Sequence, residues 1–462
     1  LPRGTKPEAI VPAVEALVRK ANLGGRVSFA VADLATGDIL EMRNPLAGQP
    51  PASVAKAITA AYALDRLGPT HRFATRLVAT GPVEDGQVKG DLVLAGGGDP
   101  TLDTDGLANL VEKLKARGIH GITGKFRVWD SALPALPWID GDQPDHVGYN
   151  PAISGLNLNF NRVHFEWKKD GSDYDLTMEA RATRFSPDVD IARMKISQEQ
   201  RAVYEYQHRG GVDHWSVARR ALGGGGARWL PVRRPGAYAE ETFLTIARSY
   251  GFDLKVGPAM AHPPVGTELA REEGAALPDL MRGMLRYSTN LTAEVSGLTA
   301  SASSGTVPQT LSASATAMND WANETLEARR ASLVDHSGLG YDSEVSALDM
   351  VRMLMAPGQN EQLRPILRQF KVNDANGKTI PLSQLAVNAK TGTLNFVSAL
   401  AGYARAGDGR DIAFSIFTSD EDRRDAIPVS QRERPEGARS WASRSRRLQR
   451  DLLLRWASRF SA

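Results

Sequence analysis

The hydrophobic period of this chain changes twice, and that double change restricts the folds open to it. Helix-type spacing near the N-terminus gives way, from about Phe73 to Pro235, to short alternating runs set between Gly, Asp and Pro turns. Helical spacing then returns from Tyr238. The simplest chain with that pattern is an α/β domain interrupted by a β-rich insert. The expected segments are 1–76, 77–235 and 236–462, with the insert formed as two small domains. The length of 462 residues leaves room for this, at about 100–200 residues per domain.

Individual elements follow from the same periodicity. Ala9–Lys20, with Ile10, Val14, Leu17 and Val18 on one face, reads as a helix stopped by Gly24-Gly25. Val27–Ala32 and Ile39–Met42 read as strands, and Pro50-Pro51 opens a helix from Ser53 to about Leu67. Inside the insert, Asp91–Leu94, Lys125–Val128, Leu156–Phe160, Val163–Trp167 and Leu176–Ala180 alternate as strands do, around one helix at Thr101–Ala116. Helices are expected from Tyr238 to about Ala356, including a small-residue helix at Leu311–Leu326. Three strands follow, Leu385–Asn388, Ser398–Ala404 and Ile412–Ser419, and then a closing helix, Trp441–Phe460.

Composition removes whole classes of chemistry. With no cysteine, the chain has no thiolate metal site, cysteine nucleophile or disulfide. The eight histidines show no paired metal spacing, so neither a metal nor a cofactor is expected. A net charge of +3 over this length is a weak field, and no nucleic-acid partner is expected. Only 14 of the 56 basic residues are lysine, and a general-base amine must come from that short set, because arginine does not deprotonate. The start at Leu1 is read as a processed end from which a signal peptide has been removed.

Two of those lysines fall in telling places. Ser53-Val54-Ala55-Lys56 puts a hydroxyl and an amine three residues apart at a helix start, on one face. A neutral Lys56 can then serve as base for Ser53, while the helix N-terminus favours an oxyanion. Alone the pattern is weak, since it arises by chance about once in such a length. Ser288-Thr289-Asn290, in a helix-flanked turn, and Lys390-Thr391-Gly392, on a C-terminal strand, complete an ordered set. Lys390 offers a second cation that would depress the Lys56 pKa, and Gly392 removes a side chain where a substrate backbone could approach. Gly96-Gly97-Gly98-Asp99 is no nucleotide loop, because no Gly-Lys-Ser/Thr follows.

In that order the three motifs are the SxxK, SxN and KTG set of penicillin-recognising enzymes. With Gly90-Asp91-Leu92-Val93-Leu94, the Gly-rich stretch to Leu102, Ser337-Gly338-Leu339 and Ala389–Thr393, the chain resembles class C low-molecular-mass penicillin-binding proteins, the D-alanyl-D-alanine carboxypeptidases/endopeptidases. The resemblance implies an α/β (α+β) transpeptidase-like core, with an antiparallel sheet flanked by helices and a β-rich insert. Ser53 would attack the carbonyl between two D-alanines, Lys56 would take its proton, and Ser288 would relay a proton to the leaving amine. Asn290 would bond the substrate amide, and Lys390 with Thr391 would hold the terminal carboxylate. Gly392 would keep the strand open to substrate, and the N–H groups of Ser53 and Thr393 would form the oxyanion hole. The implied partners are peptidoglycan stem peptides, with β-lactams as covalent inhibitors, and the implied location is the periplasm.

The family's side-chain pocket is where this sequence departs. Gly340-Tyr341 stands where many members carry Arg, which removes a bidentate partner for a side-chain carboxylate. His336 replaces a usual Gly. Asp140 or Asp142, with Tyr149 as an aromatic wall, is expected to supply the pocket from Trp138–Tyr149, and Asn395 is a further polar candidate. A β-lactamase or β-lactam-binding esterase on the same fold is the alternative function, the β-lactamase disfavoured because no ExxLN loop lies between the first two motifs. Peripheral membrane association through the Arg-rich closing helix competes with packing of its Trp441, Leu448, Leu452, Trp456 and Phe460 face on the sheet.

Overall fold

A computed structural model describes residues 12–374 and 376–459, so Ile10 and Phe460 of the two predicted terminal helices lie outside the described residues. The chain forms two compact units. The first joins 1–69, 277–306 and 311–462, and the second holds 70–276 with 307–310.

The first unit is built on a six-stranded antiparallel sheet. Its strand order is Arg368–Phe370, Leu385–Leu394, Val397–Ala406, Asp411–Ser419, Arg26–Asp33 and Ile39–Arg43. The N-terminal hairpin therefore closes a sheet that the C-terminal strands begin. Both faces of the central strands are covered, which is why they read as near-continuous apolar runs. On one face Phe29, Phe414 and Ile416 pack with Trp441, Leu452 and Trp456 of the helix Ala438–Arg459. Trp456 lies 5.9 Å from Phe29 and 6.0 Å from Phe414, ring to ring. The apolar face that suggested a membrane surface is thus spent on the core. On the other face Ser415 Oγ donates to the Ala347 carbonyl and Tyr403 to that of Leu354, which seats the helix Ala347–Met355.

The second unit has its own core around a four-stranded sheet, ordered Thr267–Glu273, Ala74–Ala79, Leu92–Gly96 and Phe126–Trp129. Two expectations about it are corrected. Its boundary falls at 276, because Pro235 opens a helix, Pro235–Ser249, whose Tyr238, Phe243 and Ile246 enter this core. Phe243 stacks on Phe126 at 4.8 Å, and the strand Thr267–Glu273, inside the stretch expected to be helical, returns to pair with Ala74–Ala79. Nor is the insert two small domains, since one continuous core runs from Leu77 and Leu94 to Val163, Phe165 and Trp215.

Leu156–Phe160 is not a strand. Its Leu/Asn alternation imitates one, but Asn159, Phe160 and Asn161 all adopt positive φ, and the Asn161 carboxamide accepts from Leu158 N and donates to the Ala152 carbonyl. Buried asparagines here satisfy the chain locally in place of a ladder. Among the described residues no helix is long and apolar enough to cross a membrane.

Candidate active site

Ser53, Lys56, Ser288, Asn290 and Lys390 come together in the first unit, from three separate stretches of chain. The first pair sits where a single 3-10 turn, Ala52–Val54, runs into the helix Ala55–Leu67. Ala52 is held at φ 47°, a left-handed value that a non-glycine residue rarely adopts, and it carries Ser53 out of the helix line. Lys56, one turn on, is fully buried and donates to three acceptors. They are Ser53 Oγ at 3.0 Å, Asn290 Oδ1 at 2.7 Å and the Ser337 carbonyl at 2.8 Å. All three ammonium hydrogens are used, so the amine has one orientation.

Ser288 occupies the joint between the helices Leu277–Tyr287 and Asn290–Ala302, again at positive φ, 59°. Its Oγ accepts from Lys390 Nζ at 3.0 Å, and Lys390 also donates to the Thr391 carbonyl at 2.7 Å. Strand alternation puts the buried Lys390 and Gly392 on one face and the exposed Thr391 and Thr393 on the other. The edge strand Arg368–Phe370 covers only Val387–Ala389. Beyond Ala389, no strand among the described residues pairs with that edge of Lys390–Leu394, which leaves main-chain groups for an extended ligand.

Gly392 has a stricter cause than room for substrate. A Cβ there would lie 2.6 Å from the Pro51 carbonyl and 3.0 Å from Ser53 N, so its absence lets the strand touch the nucleophile segment itself. Gly338 is similar, with φ 72° and a Cβ position 2.0 Å from the Ala52 carbonyl.

The electrostatics of Lys56 differ from expectation. Burial is what drives its pKa down, to about 8, while the carboxylates of Asp335 and Glu294 push it back up. The depressing effect of one lysine on the other shows at Lys390, whose pKa falls to about 7 through burial, then Lys56, then Arg368. Both carboxylates escaped the sequence reading. Glu294 is fully buried and accepts from His336 N at 3.0 Å and Ser337 N at 2.9 Å; Asp335 accepts from Gly338 N and Gly340 N, each at 2.6 Å. A signal was present: Glu294 stands four residues after Asn290, on the same face of a helix otherwise made of small and apolar side chains. His336 is neutral, its pKa driven by burial to about 3. Its ring lies over Gly297, where a Cβ would be 2.1 Å from Cγ, and meets Ser314 Oγ at 2.7 Å. It is a packing residue.

The remaining candidates divide. Asn395 lies in the two-residue turn that ends the Lys390 strand and donates to the Arg432 carbonyl at 2.6 Å. Tyr341 is exposed, and the Arg424 guanidinium stands 4.5 Å from its ring centre. Asp142 and Tyr149 belong to the second unit and are not among the groups gathered in the first. There Asp140 caps its own loop, accepting from Asp142 N at 3.0 Å and Gln143 Nε2 at 2.8 Å, and Tyr149 donates to Gln143 at 3.1 Å.

Against known proteins, residues 10–434 match the family described as the D-Ala-D-Ala carboxypeptidase 3 (S13) family. A D-alanyl-D-alanine carboxypeptidase of an Actinomadura species is 28% identical over 92% of this chain and 86% of its own length. The D-alanyl-D-alanine carboxypeptidase DacB of Haemophilus influenzae is 24% identical over 87% of each chain. The crystal structure of penicillin binding protein 4 from Haemophilus influenzae superposes with a TM-score of 0.76 at 20% identity, covering 95% of this chain and 99% of that one.

Proposed function

This chain belongs to the D-Ala-D-Ala carboxypeptidase 3 (S13) family and is a serine-type D-Ala-D-Ala carboxypeptidase; on that premise we propose that it hydrolyses peptidoglycan stem peptides through an acyl-enzyme on Ser53. The observation that supports this reading is the buried Lys56 amine, 3.0 Å from Ser53 Oγ and held there by two further acceptors. Ser53 Oγ attacks the carbonyl between two D-alanines as its proton passes to Lys56. The oxyanion is met by the N–H groups of Ser53 and Thr393. Lys390, with Thr391, binds the terminal carboxylate. Ser288, bonded to Lys390, relays a proton to the departing D-alanine amine, and Asn290 orients both Lys56 and the substrate amide. Water then releases the acyl group.

The same serine takes β-lactams, and cleavage of D-alanyl crosslinks follows from the same acyl transfer with a larger leaving amine. One structural neighbour is described as complexed with a β-lactam. The place of action is the periplasm. On side-chain preference, the Arg424 guanidinium beside the Tyr341 ring offers a cation next to the position where the family's Arg is missing, which supports a reading in which stem peptides with an acidic side chain are substrates. Incubation with a muropeptide pentapeptide releases D-alanine from the wild type and none from Ser53→Ala. Release that survives the substitution overturns the assignment, and rapid turnover of penicillin in place of a lasting adduct favours the β-lactamase alternative.

A further inference from the structure

Lys56 must receive a proton in a place with no water to stabilise it, since it is 0% exposed. Its third acceptor is a backbone carbonyl, that of Ser337, and what holds that carbonyl in place decides whether the amine faces Ser53. The turn is stitched from two sides. Thr59, on the helix that carries Lys56, donates to the His336 carbonyl at 2.6 Å. Glu294, one turn after Asn290, spans His336 N and Ser337 N with its two carboxylate oxygens. The His336 ring adds a wedge between Gly297 and Tyr62, its plane 7° from the tyrosine ring. The bonds made by Glu294 therefore fix the two consecutive peptide units that lead into the one whose oxygen binds Lys56, while Asp335 accepts from Gly338 N, the N–H of that unit itself.

We propose that Glu294 is a positioning residue for the general base: through the His336 and Ser337 N–H groups it sets the Ser337 carbonyl against Lys56, and in its ionised form it faces the ammonium formed when Lys56 takes the Ser53 proton. The inference rests on the reading of Ser53 and Lys56 as nucleophile and base. In the step, the Ser53 O–H bond breaks, the proton joins the Lys56 nitrogen, and the Ser53 oxygen forms the new bond to the acyl carbon. Burial, then Asp335, raises the Glu294 pKa to about 8, against the Ser337 and His336 hydrogen bonds and the Lys56 charge, so carboxyl and amine titrate as a linked pair in which protonation of the lysine favours the carboxylate. The other charged groups facing Lys56 are Asp335, from the same turn, and Lys390, from the sheet strand, with Arg368 acting on Lys390. Asp335 accepts from Gly338 N, in the same peptide unit as the acceptor carbonyl, and from Gly340 N, so it braces the turn from its C-terminal side.

The test is the second-order rate of acylation by fluorescent penicillin between pH 5.5 and 9.5, with melting curves as a check on folding. Glu294 favours the protonated lysine, so its removal lets Lys56 stay neutral to lower pH. In Glu294→Gln the plateau rate falls at least tenfold and the acidic limb moves to lower pH. Glu294→Asp keeps the charge on a shorter arm, so the rate falls while the limb stays. Ser314→Ala loosens the same buried cluster without a change of charge, so it lowers the melting temperature and leaves the limb in place. An unmoved limb in a folded Glu294→Gln overturns the proposal. Should that variant not fold, a Glu294→Asp rate within twofold of wild type at every pH overturns it instead. Wild-type protein that is not acylated at Ser53 defeats the underlying reading, which is a separate result.

Discussion

Two serine–lysine pairs face each other in the site at the same separation, 3.0 Å, and their surroundings give them opposite characters. Lys56 is enclosed by acceptors and by the carboxylates of Glu294 and Asp335, which resist the effect of burial. Lys390 is enclosed by cations, Lys56 and Arg368, which reinforce it. An amine backed by buried negative charge can accept a proton and remain charged through an acyl transfer. One surrounded by positive charge is poised to draw in an anion, because a bound carboxylate relieves the repulsion. The distance between partners thus says little about role, and the charges behind them say most.

The sharpest way to break this comparison is to remove each amine in turn. Lys56→Ala should lower the rate of Ser53 acylation by about 10³–10⁴-fold, measured with labelled penicillin, as expected for loss of a general base. Lys390→Ala should cost about 10²-fold, expressed mainly as a raised KM for substrates with a free terminal carboxylate and much less for their C-terminal amides. Equal losses in kcat for both variants would erase the distinction.

pH separates the two without mutation. Acylation at saturation should rise as Lys56 loses its proton on the way to about pH 8, while carboxylate binding should weaken once Lys390 loses its own above about pH 7. The kcat and KM profiles of a pentapeptide therefore both climb, and kcat/KM passes through a maximum. A C-terminal amide should lack the KM rise.

Gly392→Ala sharpens the comparison at the point where strand and nucleophile segment touch. The added methyl meets the Pro51 carbonyl, and the variant should lose about 1–3 kcal/mol by denaturant unfolding together with most acylation at Ser53. Smallest of all, Arg424→Ala should lower kcat/KM about fivefold for stem peptides with an acidic side chain and leave neutral ones unchanged.

Much of this site was legible because its signal is local. Ser53 and Lys56 share a helix face by spacing alone, and Ser288 and Asn290 flank a helix start that the periodicity marks. The Lys390 strand shows its pattern directly. What was not legible depended on contacts between distant segments. Glu294 and Asp335 look like an ordinary helix acid and turn acid, yet 42 positions separate Glu294 from its partner His336. Gly392 was seen as a vacancy for substrate, whereas its neighbour is the chain at Pro51. Leu156–Phe160 failed for a different reason, because alternation of Leu and Asn carries the period of a strand without its backbone.

By itself the sequence determined which chemistry was open: an oxygen nucleophile, an amine base from a short set of lysines, no thiol, and a core interrupted by a β-rich insert. These follow from side-chain identity and near-neighbour spacing, which survive in any fold. Only the tertiary structure decided how the two lysines differ, where the insert ends, and which face of the closing helix is free. Each of those is set by burial and by partners hundreds of positions away, and the strength of a charge in a protein depends on what has replaced water around it.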